Sequence, residues 1–292
     1  MKKCIFFVVD KNLYPQLITT LNSLLPHIDE SMDLVICSIN LELIQKDAIS
    51  QLCRCIFIDF HNISWFVGPV MVNVINKVNP ESFWSRFLIW FDPIFQKYDF
   101  VLYLDVDLII LKSLNGIFSE DFYIENDMQV NAKWLFVDSY DSIIASLLNE
   151  DNIVLSQKMA NAGVFCVARK FISVKVRDEF VYLLSRYGKY LKFADQSLIN
   201  IWLCKNNIRI QKNNVFNLQY RNIFNKNFIS NLKIAHIVHF NGLKNLDRLV
   251  LMRLYFLLFL GPVWFLLHAI VYMPFCFKNF IFRAFKKLGV WF

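Results

Sequence analysis

Residues 100–111 read FVLYLDVDLIIL, an apolar stretch interrupted by two aspartates. Phe100–Leu104 has the composition of a buried β-strand, and Asp105 and Asp107 follow it at positions i and i+2. Two carboxylates on one face of a strand are costly to bury, and each raises the pKa of the other. A hard divalent cation such as Mn²⁺ or Mg²⁺ removes that conflict, because it takes carboxylate oxygens as ligands. The pattern favours a metal site; two aspartates at an exposed strand end are the alternative.

Strands and helices alternate on both sides of this stretch, judged from the period of their apolar residues. The pattern predicts further strands at Ile5–Val9, Leu34–Ser38, Cys55–Asp59, Val164–Ala168 and Ile234–His239. It predicts helices at Tyr14–Leu25, Leu41–Leu52, Glu81–Phe95 (disturbed near its end by Pro93) and Asp195–Cys204. This alternation predicts an α/β domain with a mixed, mainly parallel sheet, and such sheets bind ligands beyond the carboxyl ends of their strands.

Composition separates a near-neutral body from a basic tail. The chain has 292 residues, of which 56% are hydrophobic, so it is not intrinsically disordered. Its net charge is +7, but residues 248–292 contain no acidic residue and six basic ones: Arg248, Arg253, Lys278, Arg283, Lys286 and Lys287. Residues 1–247 are therefore almost neutral, which argues against a nucleic-acid-binding protein. We expect a catalytic domain at 1–247 and a separate tail at 248–292.

The tail has the composition of a membrane-associated helical segment. Residues 254–277 carry no charged side chain, and Gly261, Pro262 and Pro274 interrupt them. Basic residues flank both ends, so the positive-inside rule favours keeping both ends on the same side of a bilayer. A re-entrant hairpin or an interfacial helix on anionic lipid satisfies both flanks. A spanning helix and a buried helical subdomain are the alternatives.

Cysteine usage and the amino terminus favour a reducing compartment. The seven cysteines are scattered along apolar runs, which is typical of buried thiols rather than of a disulfide framework. Zinc at Cys53 and Cys55 would need further ligands, and only His61 is near in sequence. The apolar run that begins at Cys4 is too short for a signal peptide, so we expect the body to stay in the cytosol.

Three later segments carry further polar residues, some of them suited to binding a metal or a phosphate. His236 and His239 lie in KIAHIVHFNGLKNL, and an imidazole can complete a Mn²⁺ shell. Gly242 stands in a turn where a backbone can approach a phosphate, and Lys244 follows with a positive charge. Residues 161–163 read Asn-Ala-Gly and open the strand VFCVA. Asp195 is a good helix N-cap, but that role does not explain its neighbour Gln196.

In this order the segments resemble the glycosyltransferase family 8 enzymes. The resemblance covers about residues 4–247 and rests on five blocks: FFVVDKNLYPQLITTLNSLL, SRFLIWFDPIFQKYDFVLYLDVDLIILKSL, NAGVF, ADQSLIN and HFNG. The family includes glycogenin and bacterial lipooligosaccharide galactosyl- and glucosyltransferases. It implies the GT-A fold, a Rossmann-like domain that binds a nucleotide sugar.

The resemblance also implies a role for each matched residue. It assigns the metal to Asp105, Asp107 and His239. It assigns the uracil and ribose to Asp10 and Asn12, the donor to Arg86, the donor sugar to Asn161, and the diphosphate to Gly242 and Lys244. Asp195 would hold sugar hydroxyls and Gln196 would lie beside the anomeric carbon. The family's Lys-Pro-Trp begins six residues after the histidine, whereas Lys244 follows His239 by five and Asn245-Leu246 replaces Pro-Trp.

The expected function is a metal-dependent retaining glycosyltransferase that uses Mn²⁺ or Mg²⁺. It would move a hexose from a UDP-sugar to a lipid-linked or lipopolysaccharide-type glycan at the cytoplasmic face of a bacterial inner membrane, bound peripherally or monotopically. A nucleotidyltransferase is a weaker alternative, because no glycine-rich loop follows the first strand. A non-catalytic, membrane-tethered scaffold or sugar-binding module with the same fold is the other alternative.

Overall fold

The computed structural model describes residues 1–60, 84–127, 135–136, 142–155, 158–212, 215–219, 228–241 and 248–253. Its strands are β1 Lys3–Asp10, β2 Asp33–Ile39, β3 Cys55–Ile58, β4 Phe100–Leu104, β5 Leu108–Ile110, β6 Phe122–Asp127, β7 Met159–Ala168, β8 Leu218–Gln219 and β9 Ile237–His239. Its helices are α1 Tyr14–Leu24, α2 Leu43–Leu52, α3 Leu88–Phe91, α4 Ser142–Glu150, α5 Val174–Tyr187, α6 Ala194–Lys205 and α7 Phe228–Ile234.

Six strands form one sheet in the order β3-β2-β1-β4-β7-β6. The first four are mutually parallel, and β7 runs antiparallel to both β4 and β6. The expectation of a mixed, mainly parallel α/β sheet is therefore confirmed. A second sheet, β5-β9-β8, is short and packs beside the carboxyl end of β4.

Hydrophobic cores cover both faces of the large sheet. Phe6 and Val8 of β1 lie in one core, whereas Ile5, Phe7 and Val9 lie in the other. A strand that is buried on both faces has apolar side chains at successive positions. β1 accordingly contains the apolar run FFVV directly after Cys4 and Ile5. The same double burial holds β4 in the middle of the domain, so its carboxyl end is rigidly placed.

Most predicted elements are confirmed within one or two residues, and three are wrong in extent. The strand predicted from Val164 begins at Met159, so β7 contains residues 161–163. The described part of Glu81–Phe95 forms a 3₁₀ turn, α3 and the start of a second 3₁₀ helix at Pro93. The α-helix ends at Phe91 because Pro93 disfavours helix in the residue before it. The late strand begins at Ile237 rather than Ile234, since Ile234 ends α7. None of the six cysteines in the described ranges forms a disulfide; His61 and Cys276 lie outside those ranges.

Of the predicted tail, the structure describes residues 248–253, which are helical. Met252 is fully buried in a small apolar cluster with Ile109 of β5 and Val238 of β9. Within the described residues, no helix has both the length and the apolar character needed to cross a membrane. The predicted membrane segment at 254–277 lies outside the described residues.

Candidate metal and donor site

The site begins where β4 ends and the chain turns into β5. Asp105 and Asp107 lie in this turn, and Thr20 of α1 holds it in place. The Thr20 hydroxyl is fully buried, lies 2.7 Å from the carbonyl oxygen of Val106 and 2.9 Å from that of Leu108, and also accepts from the Leu108 N–H at 3.3 Å. A helix side chain therefore fixes the backbone that carries both aspartates.

β9 brings His239 to the same point. His239 pairs with Leu108 across the small sheet, and the Phe240 N–H donates to the Asp107 carbonyl at 2.9 Å. Within the described residues, Asp105, Asp107 and His239 offer ligand atoms that all lie within 4.8 Å of one another. His236, the other candidate histidine, contacts the Ser113 carbonyl and the Phe216 ring instead.

The three side chains fit a divalent cation. His239 is buried, and its Nε2 has no hydrogen-bond partner, although it lies 3.2 Å from Asp107 Oδ1 and 3.7 Å from Asp105 Oδ2. A ring nitrogen that faces two carboxylates and makes no hydrogen bond is well placed to share a cation with them. Two carboxylate oxygens and an imidazole nitrogen suit Mn²⁺.

Asp107 remains ionised in spite of its burial. Burial alone would raise the pKa of the Asp107 carboxyl, but His239 and Arg248 lower it to about 2. The Arg248 guanidinium lies 2.9 Å from Asp107 Oδ2, opposite the oxygen that faces His239. The carboxylate is thus held between a guanidinium on one side and an imidazole on the other.

Gly163 of β7 permits this close assembly. Its carbonyl accepts from the Asp105 N–H at 2.8 Å, so the two residues face each other across neighbouring strands. A Cβ at position 163 would lie 2.3 Å from His239 Cε1 and 2.6 Å from Asp105 Oδ2. Only glycine leaves room for these two side chains at this distance.

A buried guanidinium joins the aspartates to α6. Arg86 Nε lies 2.6 Å from Asp195 Oδ2, and its Nη2 lies 3.4 Å from Asp105 Oδ1. Arg86 also donates to the Ala162 carbonyl at 2.6 Å and stacks over the Tyr103 ring. Burial disfavours its charge, but Asp195 and its other neighbours raise the pKa of Arg86 above the ordinary value. The cation is therefore permanent and holds two carboxylates together.

The first turn of α6 carries Asp195 and Gln196. Phe193, rather than Asp195, is the N-cap residue, so the N-cap interpretation of Asp195 is wrong; its carboxylate pairs with Arg86 instead. Ala194 has φ of 47°, a left-handed conformation unusual for a residue with a Cβ and typical of functional turns. Asn200 binds both backbone groups of Ala160 and fixes α6 against β7.

Among the residues assigned to the donor, Asn161 is buried and lies beside this cluster. Its Oδ1 accepts from Gly163 N and from Asn217 Nδ2, each at 3.0 Å. Asp10 is also buried, and its Oδ1 accepts from the N–H groups of Asn12 at 2.7 Å and Leu13 at 3.1 Å, which forms the turn before α1. Asn12 is exposed at that turn. Gly242 and Lys244 lie outside the described residues.

Three residues of the site escaped sequence reasoning: Thr20, Asn217 and Arg248. Arg248 was counted only as part of the basic tail, although its guanidinium lies in the site. Thr20 and Asn217 carry no charge, and only tertiary pairing brings them near the aspartates. The signal for Thr20 was a hydroxyl on the otherwise apolar face of α1, at positions 17, 20, 21 and 24.

Comparison with known proteins agrees with this architecture. The sequence model of Glycosyl transferase family 8 matches residues 4–245, most of the chain. No protein in the curated set matches the sequence. The fold is similar to that of the bifunctional glycosyltransferase WbbM in its apo form, with a TM-score of 0.60 and 14% identity. That alignment covers 85% of this chain and 49% of WbbM, so the chain spans about half of WbbM.

Two further structures share the fold. The galactosyltransferase LgtC, solved with donor and acceptor sugar analogues, has a TM-score of 0.56 at 16% identity, covering 82% of this chain and 87% of LgtC. Mouse xyloside xylosyltransferase 1 in its apo form has a TM-score of 0.54 at 13% identity, covering 83% and 98%. The fold is thus the GT-A type that the sequence predicted, and by its family match the chain belongs to glycosyltransferase family 8.

Proposed function

We propose that the protein is a metal-dependent retaining glycosyltransferase that transfers a hexose from a UDP-sugar to a lipid-linked or lipopolysaccharide-type glycan. The observation that carries the proposal is the cluster of Asp105, Asp107 and His239 at the carboxyl end of β4. In a doubly wound sheet this edge is where ligands bind. LgtC, which shares the fold, was solved with donor and acceptor sugar analogues, and this supports the same class of ligands here.

The charges of the site suit a diphosphate once a cation is present. The ion pairs join three carboxylates, those of Asp105, Asp107 and Asp195, to the guanidinium groups of Arg86 and Arg248. This set is negative by one charge, so it repels a bare diphosphate and attracts a divalent cation. Adding that cation reverses the sign and makes the site complementary to the donor.

Asp105, Asp107 and His239 would hold Mn²⁺ or Mg²⁺, and the bound ion would act as a Lewis acid that stabilises the leaving diphosphate. Arg86 keeps Asp195 ionised and in place, so that the Asp195 carboxylate can accept hydrogen bonds from sugar hydroxyls. Asn161 lies next to this pair and offers its Nδ2 to the sugar. Asp10 and Asn12 lie at the end of β1, where the uridine would bind.

We assign Gln196 to the anomeric carbon, where its amide oxygen steadies developing positive charge. An amide is a poor nucleophile, so the acceptor hydroxyl attacks from the face that the diphosphate leaves. A leaving phosphate oxygen takes the acceptor proton. A trapped glycosyl ester on Asp195 would contradict this route in favour of a covalent intermediate.

The proposed acceptor and location rest on the tail. Its basic and apolar composition suits anionic lipid at the cytoplasmic face of a bacterial inner membrane. A lipid-linked glycan would then reach the site without leaving the membrane surface.

The deciding experiment is donor hydrolysis by the purified protein, with and without Mn²⁺. UDP-glucose, UDP-galactose, UDP-N-acetylglucosamine and UDP-N-acetylgalactosamine are compared, and Asp107→Asn serves as the inactive control. We expect Mn²⁺-dependent release of UDP from one donor. If no donor is hydrolysed and UDP with Mn²⁺ also gives no thermal stabilisation, the proposal fails and the scaffold alternative replaces it.

A further inference from the structure

The His239 ring is held on its outer side by a chain of buried amides, of which the proposed reaction uses Asn161 but not Asn217. His239 Nδ1 lies 2.9 Å from Asn217 Oδ1, and Asn217 Nδ2 lies 3.0 Å from Asn161 Oδ1. The chain ends at the backbone N–H of Gly163, which donates to Asn161 Oδ1 at 3.0 Å. Asn161, Asn217 and His239 are each at most 5% exposed, so water does not compete for these bonds.

The direction of every bond in this chain follows from its last member. A backbone N–H only donates, so the Asn161 atom that faces Gly163 is the oxygen. The Asn217 atom that faces this oxygen must then be its NH₂ group. Asn217 therefore turns its own oxygen toward His239, and Nδ1 of the ring must carry a proton. The other end of Asn161 agrees, because its Nδ2 faces the Asp127 carboxylate at 3.5 Å.

We propose that Asn217 is a positioning residue that fixes the proton of His239 on Nδ1 and so keeps the Nε2 lone pair aimed between Asp105 and Asp107. The proposal rests on the proposed function insofar as Nε2 is a metal ligand. The opposite tautomer would place a proton on Nε2, and that proton would exclude a cation. A hydrogen bond from the non-ligating ring nitrogen is the usual way that proteins orient a metal-binding histidine.

Asn217 is itself held by a buried carboxylate. Glu125 of β6 is fully buried, and its Oε1 accepts from the backbone N–H groups of Val215 at 3.0 Å and Phe216 at 2.9 Å. Tyr123 donates its hydroxyl to the same oxygen. These bonds fix the two residues that precede Asn217, so its amide is presented to His239 by a rigid backbone.

The test begins with the wild-type protein. Nitrogen-15 spectra of the imidazole rings report which ring nitrogen carries a proton, and His239→Gln identifies the His239 signals. We expect Nδ1 of His239 to be protonated in the metal-free protein, and to remain so with Mg²⁺ added while Nε2 is unprotonated. An unprotonated Nδ1 in either state overturns the proposal. If neither Mg²⁺ nor Mn²⁺ binds, the proposed function is contradicted, whereas the assignment of the His239 proton to Nδ1 still stands.

Variants then measure the effect on metal affinity by titration calorimetry with Mn²⁺ alone. Asn217→Leu removes the acceptor at similar volume, and we expect Mn²⁺ affinity to fall roughly 10- to 100-fold. Asn217→Asp keeps an acceptor for Nδ1 but loses the donor to Asn161 Oδ1, so Mn²⁺ affinity should fall less than in Asn217→Leu. Asn126→Leu, at a buried asparagine of β6 outside the chain, is the matched control and should not change affinity. Unchanged affinity in Asn217→Leu, or equal loss in Asn217→Asp, refutes the role.

Discussion

The close approach of Gly163 to two candidate metal ligands gives a substitution whose effect can be worked from distances. In Gly163→Ala the new methyl group would lie 2.3 Å from His239 Cε1 and 2.6 Å from Asp105 Oδ2. Ordinary contact begins at 3.4 Å, so each side chain must retreat by roughly 1 Å. Neither moves easily: His239 is buried and bound to Asn217, and Asp105 accepts from the Tyr103 hydroxyl at 2.7 Å.

The cost to stability is modest and the cost to function is large. Overpacking of this kind costs about 1–3 kcal/mol, and the lost freedom of glycine in the unfolded chain returns about 0.4–1 kcal/mol. We therefore expect Gly163→Ala to be destabilised by no more than about 2.6 kcal/mol and to fold. A displacement of about 1 Å in catalytic groups costs on the order of 100-fold in rate. Since two of the three ligands move, Mn²⁺ affinity should fall by at least about 10-fold.

The assay compares three quantities in one preparation: unfolding free energy in urea, Mn²⁺ affinity by calorimetry, and donor hydrolysis. Gly116→Ala is the matched control, because its Cβ would meet only the far end of the Phe216 ring at 3.2 Å. We expect the control to keep wild-type metal affinity. If Gly163→Ala also keeps wild-type affinity, the ligands are not packed against residue 163, and the assignment of Asp105, Asp107 and His239 as metal ligands is refuted.

Three further changes test other parts of the site. Arg86→Met should destabilise the protein by roughly 3–5 kcal/mol in urea unfolding, since it leaves Asp195 buried without its cation, and Arg86→Lys should lose less. Burial raises the pKa of Glu125 above its ordinary value near 4.5. Above pH 4.5 the folded state therefore binds more protons than the unfolded state. The free energy of unfolding should fall as pH rises from about 4.5 through the higher pKa of the folded state. Glu125→Gln should remove this pH dependence in urea titrations. Truncation after Arg253 should abolish cosedimentation with anionic vesicles and preserve donor hydrolysis; loss of hydrolysis would show that the tail is part of the active fold.

The order of elements and the two aspartates were predictable from sequence because their signals are local. Phe100–Leu104 was predicted and observed with the same bounds, since a strand buried on both faces needs an unbroken apolar run. The i, i+2 spacing of Asp105 and Asp107 predicted carboxylates on one side of the chain. These features depend on residues within about ten positions of one another.

The rest of the site depends on pairing between distant segments, which sequence periodicity does not report. The bond between His239 and Asn217 requires β8 and β9 to pair in one register, and β8 is only two residues long. The Arg86–Asp195 ion pair joins residues more than one hundred positions apart. Asp195 was a plausible N-cap by local rules, and the tertiary ion pair overrode that preference.

Arg248 shows how the two proposed parts of the protein are joined. Composition placed it in the basic flank of the tail, yet its guanidinium is committed to Asp107 at 2.9 Å and only 18% of its side chain is exposed. Arg253, in contrast, is exposed at the other end of the same helical segment, whose six residues span about 9 Å. Met252 anchors that segment to the small sheet that carries His239. Arg248 and Met252 therefore fix this six-residue segment to the candidate metal site, and we expect a change in the position of the segment to disturb Asp107.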